Sequence, residues 1–194
     1  MKRSTLAVAA LVVVPTLAFA ATGIVRADGS ADTTITSVDQ GSLDDPTIVA
    51  IFDAANTADI ETGKLAVERG QSKEVRDFGA MLARDHAQVR QLGRDLAGKL
   101  AVTPTPPKDN KAAADHAATM KRLRSVSAAE FDHAFLQYEV AFHKSVIDAV
   151  KTTLLPAIRN AELKALVVKV APAFEAHMLA ADNLDRKLVA SRGK

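Results

Sequence analysis

The 194 residues contain no cysteine and no tryptophan, only one tyrosine, and 4% aromatic residues in all. Without thiols there is no disulfide framework, no thiolate metal site and no cysteine nucleophile. Stability must come from an ordinary apolar core, which about 145 structured residues can bury in one domain. Hydrophobic residues make up 48% of the chain, much of it alanine. An alanine-rich, aromatic-poor chain favours closely packed helices over a sheet. A surplus of one charge is also missing, since 25 Lys and Arg face 23 Asp and Glu. Two of the cations, Lys2 and Arg3, sit at the very start. If that start is removed, acids and bases balance, leaving no basic domain to attract a phosphate backbone. A nucleic-acid partner is therefore not expected.

The first 20 residues read as a secretory signal. Lys2 and Arg3 precede an apolar run from Leu6 to Leu17, and Ala18-Phe19-Ala20 places small residues where a signal peptidase reads. Cleavage after Ala20 is expected, with a retained membrane anchor as the rival. Pro15, Thr16 and Thr22 weaken that rival. After cleavage no transmembrane segment is expected, and the destination is the periplasm or cell envelope. Residues 21–44, rich in Thr, Ser, Asp and Gly, read as a disordered leader. The domain is expected over residues 45–190, with residues 191–194 as a tail.

Within the domain the apolar spacing is helical throughout. Asp45-Pro46 opens a first helix that ends at Gly70. Ser72 caps a second, running to about Leu100. The segment Thr103 to Asn110, "TPTPPKDN", cannot be helical and forms an extended connection. A shorter helix, capped by Asn110, follows to about Arg124. "SAAE" at Ser127–Glu130 has the form of a capping box and starts a helix to about Leu154, where Pro156 breaks it. The last helix spans about Asn160 to Ala190, with Pro172 as an expected kink. The fold expected is all-α: a four-helix bundle with one additional short helix in the central crossover.

Placing residues on helical wheels turns several polar groups inward. In the first helix Asp59 lies among Ile48, Phe52, Ala55, Thr62 and Ala66. In the second, the stripe Val75, Phe78, Leu82, Val89, Leu92, Leu96 and Leu100 contains Asp85, with His86 at its edge, about 60° off centre. Glu139 and His143, one turn apart, separate two apolar arcs of the fourth helix. His177 falls in the stripe Leu163, Val167, Val170, Phe174, Ala181 and Leu188. His116 and His133 fall at polar edges and are assigned to the surface.

A buried carboxylate or imidazole is costly unless paired or bound. Two readings answer that cost. Asp59, Asp85, His86, Glu139, His143 and His177 converge on a divalent transition metal (Zn, Fe, Cu or Ni), as helical bundles permit. Alternatively, they satisfy one another in a hydrogen-bonded layer of a structural or interaction protein. The Glu-x-x-His spacing of di-iron bundles is absent, because Ala83, Val140 and Phe174 stand three residues before the three histidines. The carboxylate set is thin for an enzyme using a metal-bound oxidant, and no catalytic residue is assigned. No Gly-rich phosphate loop follows a strand, and the methionines are not clustered for copper.

Four segments, "ADIETGKLAVERG", "VRDFGAMLARDH", "FDHAFLQYEVAFH" and "VAPAFEAHMLAADNL", resemble in sequence and order the signatures of an exported bacterial family, domain of unknown function 4142. The match covers about Thr47 to Leu188. The resemblance implies a ferritin-like four-helix bundle in the periplasm or envelope. It places the family's acidic position on Asp59, its Asp-His pair on Asp85 and His86, and its later histidines on His143 and His177. Asp59 departs from the more usual Glu, shortening its reach. The family has no settled activity, so the resemblance bears on fold more than on function.

Overall fold

The computed structural model describes residues 43–109 and 111–192. The expected signal peptide and almost all of the leader lie outside them, as does the expected cap at Asn110. The described residues form α1 (Asp45–Arg69), α2 (Lys73–Lys99), α3 (Lys111–Ser125) and α4 (Ala128–Ala149). A π-helical turn (Val150–Leu154) extends α4, followed by the single turn α5 (Leu155–Ala157) and the long α6 (Ala161–Arg192). No strand occurs among them. None of these helices is long and apolar enough to cross a membrane.

The helix ends explain themselves locally. Asp44, not Asp45, caps α1, its carboxylate accepting from the Thr47 amide at 2.9 Å. Asp45 instead reaches across to the α5–α6 turn, where it accepts from the amides of Arg159 (2.9 Å) and Asn160 (2.8 Å). Ser72 caps α2 through the Val75 amide. Ser127 begins α4 without a side-chain cap, so the expected capping box is incomplete. Its hydroxyl faces the Glu130 carboxylate instead. Asn160 caps α6 by accepting from the amides of Glu162 and Leu163. Pro172 sits inside α6 and has no N–H to offer the carbonyl of exposed Val168.

α1 and α2 form one antiparallel pair, α4 and α6 another. The long connection through α3 returns the chain from the foot of α2 to the head of α4. The four long helices therefore run up, down, down and up, giving an all-α bundle with a single crossover. At the head, the Asp132 carboxylate accepts from the amides of Gln71 and Ser72, both at 2.8 Å. Arg69 donates there to the carbonyls of Leu123, Arg124 and Val126 while lying over the Phe131 ring. Asp45 clasps the foot.

α1 and α2 approach closely because glycines face each other. A Cβ added to Gly63 would lie 2.6 Å from the Gly79 carbonyl oxygen and 3.0 Å from the Ala83 nitrogen. No side chain fits between the two backbones at that level.

The apolar core is split in two. A lower cluster gathers Phe52, Ile147, Leu163, Val167 and Phe174. An upper one gathers Leu82, Leu123, Phe131, Phe135 and Leu136. Between them lies a layer of buried polar side chains from all four long helices: Asn56, Asp59, Thr62, His86, Glu139, His143 and His177.

Candidate metal centre

Of the six residues singled out by sequence, five are almost wholly buried: Asp59, His86, Glu139, His143 and His177 are each at most 6% exposed. Asp85 departs from expectation. Its side chain is 32% exposed, whereas His86, placed at the stripe's edge, is the deeper of the two. The wheel was centred on large apolar residues, but the buried face of α2 also runs through Gly79, Gly93 and Ala97. These small residues let α1 come close and rotate the true centre toward His86, leaving Leu92 exposed. His116 and His133 lie half-buried at the bundle's margin, paired with Glu61 (2.8 Å) and Asp185 (2.5 Å), away from the layer.

The three remaining imidazoles converge. His86, His143 and His177 each offer a ring nitrogen within 4.8 Å of the other two. Their ring centroids lie 5.1 to 5.6 Å apart. Asp59, Glu139 and His143 form a second such group, so His143 joins the imidazoles to the carboxylates. Phe174 stacks on His86 at 5.5 Å and closes the layer from below.

The hydrogen bonds fix which nitrogens carry protons. Asn56 Nδ2 donates to the Phe52 carbonyl at 2.8 Å, and a carbonyl can only accept. The amide oxygen of Asn56 must then face His86 Nδ1, 2.9 Å away, which therefore donates. Asp59 Oδ2 lies 3.3 Å from the same nitrogen. In neutral His86 the proton is spent on Nδ1, leaving a lone pair on Nε2. His143 Nδ1 likewise donates to the Glu139 carbonyl at 3.0 Å, so a second proton on this ring sits on Nε2, which offers a lone pair only once that proton leaves. His143 Nε2 has no hydrogen-bond partner among the described residues.

His177 is caught between two demands. Its Nε2 lies 3.3 Å from Asp85 Oδ2, and its Nδ1 lies 3.2 Å from the bare His86 Nε2. A neutral ring has one proton and cannot satisfy both sides. A second proton would, but burial and the neighbouring His143 hold the His177 pKa below its ordinary value, despite Asp85. A cation between the two nitrogens is the other resolution. The 3.2 Å separation is close to the roughly 3.3 Å expected between two nitrogens bound tetrahedrally at about 2.0–2.1 Å.

The carboxylates add buried acid that only imidazoles face. Burial, reinforced by Glu139, raises the Asp59 pKa well above the usual carboxylate range. Burial, with His143 and His177 nearby, pushes His86 down to about 2. His143 is opposite: burial disfavours its charge, but Asp59 and Glu139 outweigh that and push it up to about 9. No Lys or Arg pairs with Asp59 or Glu139 among the described residues. Among the described residues Asp59 Oδ1 and Glu139 Oε2 have no hydrogen-bond partner, although Glu139 Oε2 lies 3.4 Å from His143 Nδ1 and Thr62 donates to Glu139 Oε1 at 2.8 Å.

Two members escaped sequence reasoning. The α1 stripe takes Ala55 in place of Asn56, and Thr62 falls within that stripe as if apolar. A polar residue one turn from Asp59 on either side was the available signal for both.

An all-α bundle with a His-carboxylate layer across its waist is thus the class of protein defined by fold and geometry. The family model described as Domain of unknown function (DUF4142) matches residues 30–184, and the chain belongs to that family. No curated protein and no solved structure matches it significantly.

Proposed function

We propose that this is an exported, ferritin-like bundle that binds one divalent transition metal per chain in its polar layer and serves metal handling or stress defence in the envelope. His86 Nε2, His143 Nε2 and His177 Nδ1 would be the nitrogen ligands. A carboxylate oxygen of Asp59 or Glu139 completes the set, and Asp85 orients His177. Imidazole with carboxylate suits Zn, Cu, Fe or Ni.

The observation that carries the reading is the convergence of three buried imidazoles beside two buried carboxylates that pair with no Lys or Arg among the described residues. One dication offsets two carboxylates, whereas two ions would leave the interior positively charged at high cost. A purely hydrogen-bonded layer, the reading of a structural or interaction protein, leaves His143 Nε2 without a hydrogen-bond partner among the described residues. Export is supported by the reading of residues 1–20 as a signal.

The test is metal analysis of protein purified from its native compartment without an affinity tag, with His143→Ala as control. We expect close to one ion per chain in the native protein and a clear loss in the variant. No bound metal, together with melting unchanged by Zn, Cu, Fe or Ni, would refute the proposal.

A further inference from the structure

The polar layer is closed on most sides. Apolar clusters seal it above and below. On the α1 and α4 flanks, Asn56, Thr62 and Glu139 are at most 1% exposed. Among the described residues the hydrogen-bonded chain reaches water along the α2–α6 seam, at Asp85.

We propose that Asp85 is the port of the centre: a hydrated divalent cation docks on its exposed carboxylate and passes inward through His177. This rests on reading the layer as a metal site. A dication cannot cross the apolar ends of the bundle, because transfer of an unpaired charge into an apolar interior is prohibitive. The route must therefore follow polar groups, and the continuous series here is Asp85, His177, His86.

The two oxygens of Asp85 face opposite ways. Oδ1 takes the Arg84 guanidinium, with Nη2 at 2.8 Å and Nε at 2.9 Å. Oδ2 faces His177 Nε2 at 3.3 Å. Arg84 is 72% exposed, so its pairing is weak and readily exchanged for another cation. His177 presents one ring nitrogen to Asp85 and the other to His86, so rotation of the ring carries an ion from outside to inside.

The experiment mixes the full-length mature protein rapidly with Co²⁺ alone and follows visible absorbance for association and dissociation rates. Asp85→Asn keeps an oxygen to accept from His177 and removes the charge. If Asp85 is the port, both rates fall together in D85N, association by about tenfold, because uptake and release share one path. Arg84→Ala then speeds association, and added salt slows the wild type more than D85N. If D85N instead leaves association unchanged and only speeds dissociation, Asp85 merely orients His177 and the port is overturned. If the wild type takes up no Co²⁺ at equilibrium, the metal reading itself has failed, which is a different result from unchanged rates.

Discussion

Metal uptake should be coupled to proton release through His143, and the coupling has a calculable size. In the metal-free protein the imidazole, beside Asp59 and Glu139, holds its proton up to about pH 9. To ligate through Nε2 it must give that proton up. At pH 7 the deficit is about two pH units, or about 2.7 kcal/mol at 1.36 kcal/mol per unit. Apparent affinity should therefore rise close to tenfold per pH unit from about 6.5 to 8.5. At least one proton should leave per ion at pH 7, and Asp59 contributes a second wherever its raised carboxyl is still protonated. Calorimetric titration with Zn²⁺ in buffers of different ionisation enthalpy counts these protons directly. Affinity that is flat over this range, with no proton released, would falsify the coupling. The same group shapes metal-free stability. His143 is raised above its unfolded value of about 6.5, so its contribution is complete below that pH and lost as pH climbs through 9. His86 acts oppositely: it is depressed to about 2, and its burial costs stability as pH falls below 6.5. His143 and His86 together place the metal-free melting optimum near pH 6–7, and the raised Asp59 carboxyl, whose ionisation costs stability, draws it to lower pH.

Further outcomes follow from neighbouring residues. Asn56→Leu removes the group that sets the His86 tautomer and should weaken Zn²⁺ binding about 10- to 100-fold with helicity retained, measured by calorimetry and circular dichroism. Gly63→Ala forces a methyl against the Gly79 backbone and should cost about 1–3 kcal/mol, seen as a lowered melting temperature. Ala101 adopts φ 52° just beyond α2, so Ala101→Gly should raise stability by about 0.5–1 kcal/mol in denaturant titration.

Much of the bundle was legible because its punctuation is strong. Gly70, Ser72 and the Pro-rich segment bound the helices where expected, whereas Pro156 sits inside α5 and the helical run ends only at Ala157; the apolar stripes of α4 and α6 place His143 and His177 inside. α2 was harder. Its buried face includes glycines and an alanine, residues that carry little hydropathy yet admit the closest neighbour, so the wheel exchanged the depths of Asp85 and His86. The π-helical turn after Ala149 left no mark in the spacing, since it alters which carbonyl an amide meets and not which residues are apolar. The tautomers were beyond sequence altogether. They depend on Asn56 meeting His86 across two helices and on a carbonyl of α1 that can only accept.

The divided core has a consequence for how the molecule breathes. Most bundles fray from their tips, but here the tips are tied by Asp45 and Asp132, and greasy packing lies just inside each knot. The weakest stratum is the middle one, where buried polar atoms lack full partners until an ion arrives. Amide hydrogens around the waist should exchange soonest in the metal-free protein and slow most on loading, so the bundle stiffens from its centre outward.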